Sequence, residues 1–294
     1  MVVSTCAAPA VINAALTGAV ASKRDNPVLP TFPTEIADSA VEAARAGAVV
    51  AHVHLRDEHG QPTTDLELAR GVTRLINDRC SAVVQLSTGV VLEVPFSQRA
   101  GLVEVLPAMA TLNVCSMRFG VGEFRNPPDD VRRLAYRMGE LDVKPEVELY
   151  DSEYLDVALS LRDEGLLADR LHCSIVMGIK GGMATTPANL LATVDRLPDG
   201  SVWQVIAIGA SNLPMAALGL TLGGNARTGL EDTLYTRRGE LARSNGALVP
   251  RLAHVIMALD RRVATLSDVK AALNCGDVRP VAAISQPVAS PEHA

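Results

Sequence analysis

The sequence predicts an α/β protein, a (β/α)8 barrel in a single domain. Three observations lead there. Short apolar stretches alternate with helix-period stretches along the chain, the pattern of βα units that pair as a parallel sheet. Eight such units fit into about 270 residues, and eight close into a TIM barrel more readily than they lie as an open sheet. The 294 residues, 48% of them hydrophobic, supply one large core, with no linker and no repeat beyond the βα period. Residues 1–278 are the expected barrel domain. The Pro/Ser/Ala-rich 279–294 is expected to be a loose tail.

The elements follow in chain order. Strands are expected at 11–16 (VINAAL), 49–55 (VVAHVHL), 82–87 (AVVQLS), 109–113 (MATLN), 146–150 (EVELY), 172–177 (HCSIVM), 203–208 (WQVIAI) and 225–230 (NARTGL). The last is short and polar, and the glycines of GGNARTGL point to a close backbone approach. Between the strands, TEIADSAVEAARAGA ends near a glycine and TTDLELARGVTRLIND opens on Thr-Thr-Asp. NPPDDVRRLAYRMGEL offers Asn126 as N-cap, prolines in the first turn, and Asp129 and Asp130 favouring the helix dipole. DSEYLDVALSLRDEG stops at Gly165, and TPANLLATVDRL pairs Thr186 as N-cap with Pro187 at N1.

Composition excludes several classes of function. The net charge is −6 and the cations are scattered, so nothing favours nucleic acid as a partner. The five cysteines are widely spaced with no CxxC pair, which fits neither a disulfide framework nor a cysteine zinc site and suits a reducing cytosol. The apolar start lacks the positive region of a signal peptide, its first cation being Lys23. No uncharged stretch reaches the ~20 apolar residues of a membrane span. The expectation is a cytoplasmic protein with no membrane partner.

Within VVAHVHLRDEHG, His52 and His54 stand two apart on an otherwise apolar strand. Residues i and i+2 of a strand face one side, so both imidazoles point the same way, near enough to share one metal ion. They also fall at the strand's C-terminal end, where barrels carry their active sites. A lone buried histidine is more often a satisfied core residue, but an HxH at a strand end leans towards metal. A catalytic zinc usually has three protein ligands and an open position. His59 sits in a polar loop, His172 begins a strand at the wrong end, His254 lies on a late helix and His293 in the tail. A carboxylate from another strand end is the better third ligand. Glu231 and Asp232 follow the eighth strand, and Glu146 and Glu148 stand on the fifth. The competing readings are a helix start for the first pair and a buried, charge-paired acid for Glu148. Ser87, Thr88 and Gly89 end the third strand, Thr111 and Asn113 the fourth, and MGIKGGM (177–183) forms a Gly-rich loop after the sixth. Such groups suit an anion or a phosphate, or serve only as turn chemistry.

Taken together, INAALTGA, HVHLRD, STG, ATLN, PEVELY, GGM and RTGLEDTLY…SN, in this order from residue 11 to 246, resemble the β-keto acid cleavage enzymes. The resemblance implies a barrel that holds zinc and converts a β-keto acid and acetyl-CoA into a shorter acyl-CoA and acetoacetate. It implies His52, His54 and Glu231 as zinc ligands and Asp232 as general base, positioned by Arg227 and Ser87. Thr111 and the Ser87–Gly89 turn would hold the substrate carboxylate, with Asn113 and Glu148 as further substrate-binding residues. It also implies a homo-oligomer, dimer or tetramer. Departures concern the substrate. Members acting on amines carry a glutamate where this chain has Val20, so a neutral, apolar β-keto acid is expected. Ser211, Asn225 and Arg118 also differ from the common pattern, and Arg118 is either an anion reader or a surface ion pair. Two other readings stand beside this one. An amidohydrolase-like zinc hydrolase needs HxH on the first strand and further histidines from later ones, whereas here HxH is on the second strand and the later strands supply none well placed. A non-catalytic CoA or keto-acid binding protein would have no need of an acid beside a metal ligand.

Overall fold

The computed structural model describes residues 8–273; the expected tail at 279–294 lies outside the described residues. Eight parallel strands close into a barrel: β1 (Ile12–Ala15), β2 (Val50–Val53), β3 (Val83–Leu86), β4 (Met109–Asn113), β5 (Lys144–Leu149), β6 (His172–Met177), β7 (Val202–Ala207) and β8 (Asn225–Thr228). Each strand pairs with the next in sequence, and β8 returns to β1 with Asn13 opposite Arg227. All eight coincide with expected strands to within two residues at most ends. The eighth is shorter than expected because Gly229, at φ +152°, turns the chain over the end of β1. The glycine signal there has a second cause: at Gly224 a Cβ would lie 2.6 Å from the Trp203 ring.

The helices that cover the barrel are α1 (Pro33–Arg45), α2 (Leu66–Arg79), α3 (Phe96–Ala100), α4 (Pro128–Glu140), α5 (Tyr154–Asp163), α6 (Pro187–Arg196), α7 (Asn212–Thr221), α8 (Asn245–Ala258) and α9 (Leu266–Leu273). Their starts are chemically marked. Asp65 accepts from the Leu68 N–H and Thr186 from the Asn189 N–H, as capping side chains do. Asn126 does not cap α4, contrary to expectation. Pro127 holds that position, while the Asn126 amide is buried, donating to the Cys115 carbonyl and accepting from Arg99. A short hairpin, Met117–Phe119 with Gly122–Phe124, stands between β4 and α4; a second, Tyr235–Arg237 with Glu240–Leu241, follows β8.

Strand alternation divides the side chains cleanly. Ile12, Ala14, Ala51, Val53, Val84 and Leu86 face outward into a core shared with Ile36, Val72 and Val249 of the covering helices. Their alternates Asn13, His52, Gln85 and Ser87 are buried polar groups that turn into the barrel. On the far side Val147, Leu149, Cys173, Ile175 and Val205 pack on α4, α5 and α6. The apolar run of VVAHVHL therefore packs on one face only; the histidines occupy the other. Among the described residues no helix is long and apolar enough to cross a membrane.

Candidate metal centre and active site

His52 and His54 reach the C-terminal mouth of the barrel, and the turn after β8 brings Glu231 to them. Both histidine Nε2 atoms lie 3.5 Å from Glu231 Oε1. These three residues offer ligand atoms all within 4.8 Å of one another. Backbone contacts set the turn. The Glu231 N–H donates to the Ala15 carbonyl, and the Leu230 N–H to Asn245 Oδ1 at the start of α8. Gly18, at φ +66°, lets the β1–α1 loop pass so near that a Cβ there would lie 2.7 Å from Glu231 Cγ. Arg56, buried directly after HVHL, ties this loop down by donating to the carbonyls of Gly18, Ala21 and Gly60. Arg56 was in the quoted motif without being singled out. A buried arginine after an apolar run was the signal.

The donor set fits a metal. His52 Nε2 and Glu231 Oε2 are buried without a hydrogen-bond partner, a costly state that an ion between them would relieve. His52 Nδ1 lies 2.8 Å from Gln85 Oε1. A carbonyl oxygen only accepts, so Nδ1 carries a proton there and Nε2 is the nitrogen left to face the cluster. Gln85 is the second residue that motif reading passed over. Two imidazoles and a carboxylate make a three-ligand set of the number that catalytic zinc sites use.

Next to the cluster, Arg227 is fully enclosed and grips Asp232 with two hydrogen bonds, 3.0 and 2.9 Å, while also reaching Glu231. Burial pushes the Asp232 carboxyl up, against the pull of the Arg227 charge, and its pKa ends above the usual value. Burial acts the same way on Glu231, but there Arg227 and the two histidines win and hold it well below the carboxylate range. Adjacent acids thus divide into a fixed anion and a more basic carboxylate. Glu148 is buried against Tyr150, whose hydroxyl donates to it at 3.0 Å, and burial raises its pKa too.

The other expected residues fall as follows. Asn113 is buried with both amide atoms unpaired. Thr111 is enclosed, and its hydroxyl accepts from the Thr88 N–H at 2.9 Å. Ser87 makes no hydrogen bond to Arg227 or Asp232 among the described residues: its hydroxyl exchanges hydrogen bonds with the Gly89 backbone, because the STG turn folds back on itself. Gly89 leaves only ordinary contact distance to Asn113. Val20 is 86% exposed, on the loop that crosses Glu231. His172 and Glu146 meet each other instead, 3.1 Å apart at the N-terminal end of the barrel beside a small cavity that Val11, Asn13 and Met109 also line.

A closed eight-stranded barrel with a candidate His-His-carboxylate metal cluster and a buried arginine–carboxylate pair at its mouth has the architecture of a barrel enzyme. The model of the beta-keto acid cleavage enzymes matches residues 9–275, and the chain belongs to that family. A 3-keto-5-aminohexanoate cleavage enzyme of Fusobacterium nucleatum is 34% identical, over 90% of this chain and 97% of that protein. A 3-oxoadipate:acetyl-CoA acetyltransferase of Cupriavidus necator is also 34% identical, over 90% of this chain and 94% of that protein. Among solved structures, the apo structure of ObcA superposes with a TM-score of 0.74 at 20% identity, over 85% of this chain and 66% of that longer one. It shares the barrel fold. The family's members are acyl-transferring, carbon–carbon-cleaving enzymes of β-keto acids, and so is this chain.

Proposed function

We propose that the protein is a zinc enzyme that condenses a neutral, apolar β-keto acid with acetyl-CoA to give an acyl-CoA and acetoacetate. The observation that carries this reading is the His52–His54–Glu231 cluster with Asp232 beside it. The relatives' names supply acetyl-CoA and the β-keto acid class. A zinc ion held by these three residues would supply Lewis acidity towards the keto oxygen. Asp232 removes a proton from the carbon between ketone and carboxylate. Arg227 fixes Asp232 in one orientation and compensates its charge when ionised. Asn113, with its amide free, and Thr111, with the STG turn locked to it through Thr88, receive the substrate carboxylate. The enclosed polar wall of Glu148 and Tyr150 limits water at the reacting carbon. Ser87 acts on the substrate side through the Gly89 turn. We place the reaction in the cytoplasm, in a homo-oligomer; free Cys80, Cys115 and Cys173 suit that compartment.

The substrate is neutral in this proposal because Val20 gives the loop over Glu231 no anion for an ammonium group. Short apolar, cationic and anionic β-keto acids, each with acetyl-CoA, test it against the wild type and Val20→Glu. The wild type should turn over the apolar acids best and the variant should gain on the cationic ones. Zinc-loaded enzyme that forms no acyl-CoA from any of them would refute the function. A wild-type preference for the cationic acids would refute the substrate assignment.

A further inference from the structure

The Gly-rich loop at 178–182 takes no part in the site above, and neither does Arg118 of the hairpin. The structure puts them together. The Gly120 N–H donates to the Lys180 carbonyl at 2.9 Å, and at Gly181, φ +104°, a Cβ would overlap the Arg118 carbonyl. The loop is closed on its inner side by Gly182 N–H to Ile179 O and Met183 N–H to Tyr150 O. Its outer amides, those of Lys180 and Gly181, make no hydrogen bond among the described residues. Arg118 and Lys180 are exposed, and neither forms an ion pair among the described residues. Arg118 pairs across the hairpin with Glu123, but Glu123 is taken by Arg125, at 3.0 and 2.9 Å. In a chain of net charge −6, the junction of hairpin and loop carries three cations and one acid.

We infer that this junction binds the phosphates of CoA, with Arg118 and Lys180 as the cationic contacts and the loop amides as further donors. The inference rests on the acetyl-CoA reading above and deepens it. Position supports it. The hairpin follows β4 and the loop follows β6, so both stand at the C-terminal mouth of the barrel. Phe119, next to Arg118, stacks edge-on against Tyr150 at 6.0 Å between ring centres, and Tyr150 bonds Glu148 within the site. One aromatic pair therefore separates the basic junction from the catalytic wall. A cofactor whose thioester must enter a buried site while its phosphates stay in water needs such a spacing. Unpaired backbone amides beside a positive-φ glycine, with cations next to them, are the chemistry of a phosphate nest.

The test compares acetyl-CoA with acetyl-N-acetylcysteamine, a thioester that has no phosphates. The Arg118→Ala/Lys180→Ala double variant should lower the preference in kcat/KM for acetyl-CoA over the short thioester tenfold or more, and flatten the salt dependence of KM for acetyl-CoA. Calorimetric binding of CoA and dephospho-CoA assigns the contact: a smaller loss for dephospho-CoA places the 3′-phosphate here, an equal loss the pyrophosphate. An unchanged preference ratio, or CoA binding as tight as in the wild type, overturns the inference. If the wild type forms no product with any β-keto acid, the functional reading fails, and the CoA binding titration still decides the site. A thermal melt of the double variant separates loss of binding from loss of fold.

Discussion

Replacing Gln85 by leucine should weaken zinc binding without touching a ligand. The side chain keeps its bulk, but the acceptor 2.8 Å from His52 Nδ1 is gone. In the metal-free protein the loss is partly avoidable: His52 moves its proton to Nε2 and donates towards Glu231 Oε1, 3.5 Å away. With zinc bound that escape closes, because Nε2 must offer its lone pair to the metal. The Nδ1–H is then buried with no acceptor, in a residue 1% exposed. An unsatisfied buried donor costs about 1–3 kcal/mol, so the zinc dissociation constant should rise about tenfold to a hundredfold. A competition titration against a chromogenic chelator at neutral pH reads this directly, with circular dichroism and a thermal melt of the metal-free form as controls for folding. Gln85→Glu restores an acceptor and should bind zinc at least as tightly as the wild type. A folded Gln85→Leu protein whose zinc affinity stays within twofold of the wild type would refute the tautomer reasoning and with it the assignment of Nε2 to the metal.

Three other outcomes follow from the same geometry. Gly18→Ala places a Cβ against Glu231 Cγ at a φ of +66°; the melting temperature should fall and zinc affinity with it, where a purely local loop effect would lower the first alone. Asp232→Asn should cut kcat by about 10²- to 10⁴-fold while leaving zinc content unchanged; undiminished turnover would remove Asp232 as the base. Glu146, held down to about 2 by its partners His172 and Ser174 against the effect of burial, has a folded pKa below its unfolded value of 4.5. Its ionisation therefore stabilises the fold above pH 4.5, and that contribution disappears as pH falls from there towards 2. Glu146→Gln should cost up to about 3 kcal/mol at pH 7 and progressively less in acid, read as the difference between the two chemical-denaturation curves at pH 7 and pH 3.

The barrel was legible because its strands are buried on both faces, yet are polar towards one. VVAHVHL and AVVQLS look like continuous apolar strands interrupted at every second residue, and those interruptions are His52, His54, Gln85 and Ser87. Alternation of that kind survives in a sequence because it is local. Helix starts were legible for the same reason where a side chain caps its own turn, as at Asp65 and Thr186. Asn126 misled because its partners lie elsewhere in the chain: Cys115 eleven residues back and Arg99 twenty-seven. A buried asparagine that stitches a hairpin to a helix carries the same letters as an N-cap.

The site divides along the same line. The HxH pair announces itself by spacing within one strand, but spacing alone left Glu146, Glu148, Glu231 and Asp232 all open as the third ligand, since a distance between strands is not written in either. What selects Glu231 physically is the turn after β8, and that turn depends on residues from three other elements: the Ala15 carbonyl, Asn245 on α8, and the Gly18 loop that Arg56 ties down. The same turn that delivers Glu231 to the histidines also places Asp232 on Arg227, so neither acid can be moved without the other. Glu146 shows the converse. It stands two residues from Glu148 on the same strand face, but two residues along a strand is enough to reach the other end of the interior, where His172 lies 3.1 Å from it. Two acids that read alike in sequence thus stand at opposite ends of one barrel interior, Glu146 on His172 and Glu148 on Tyr150.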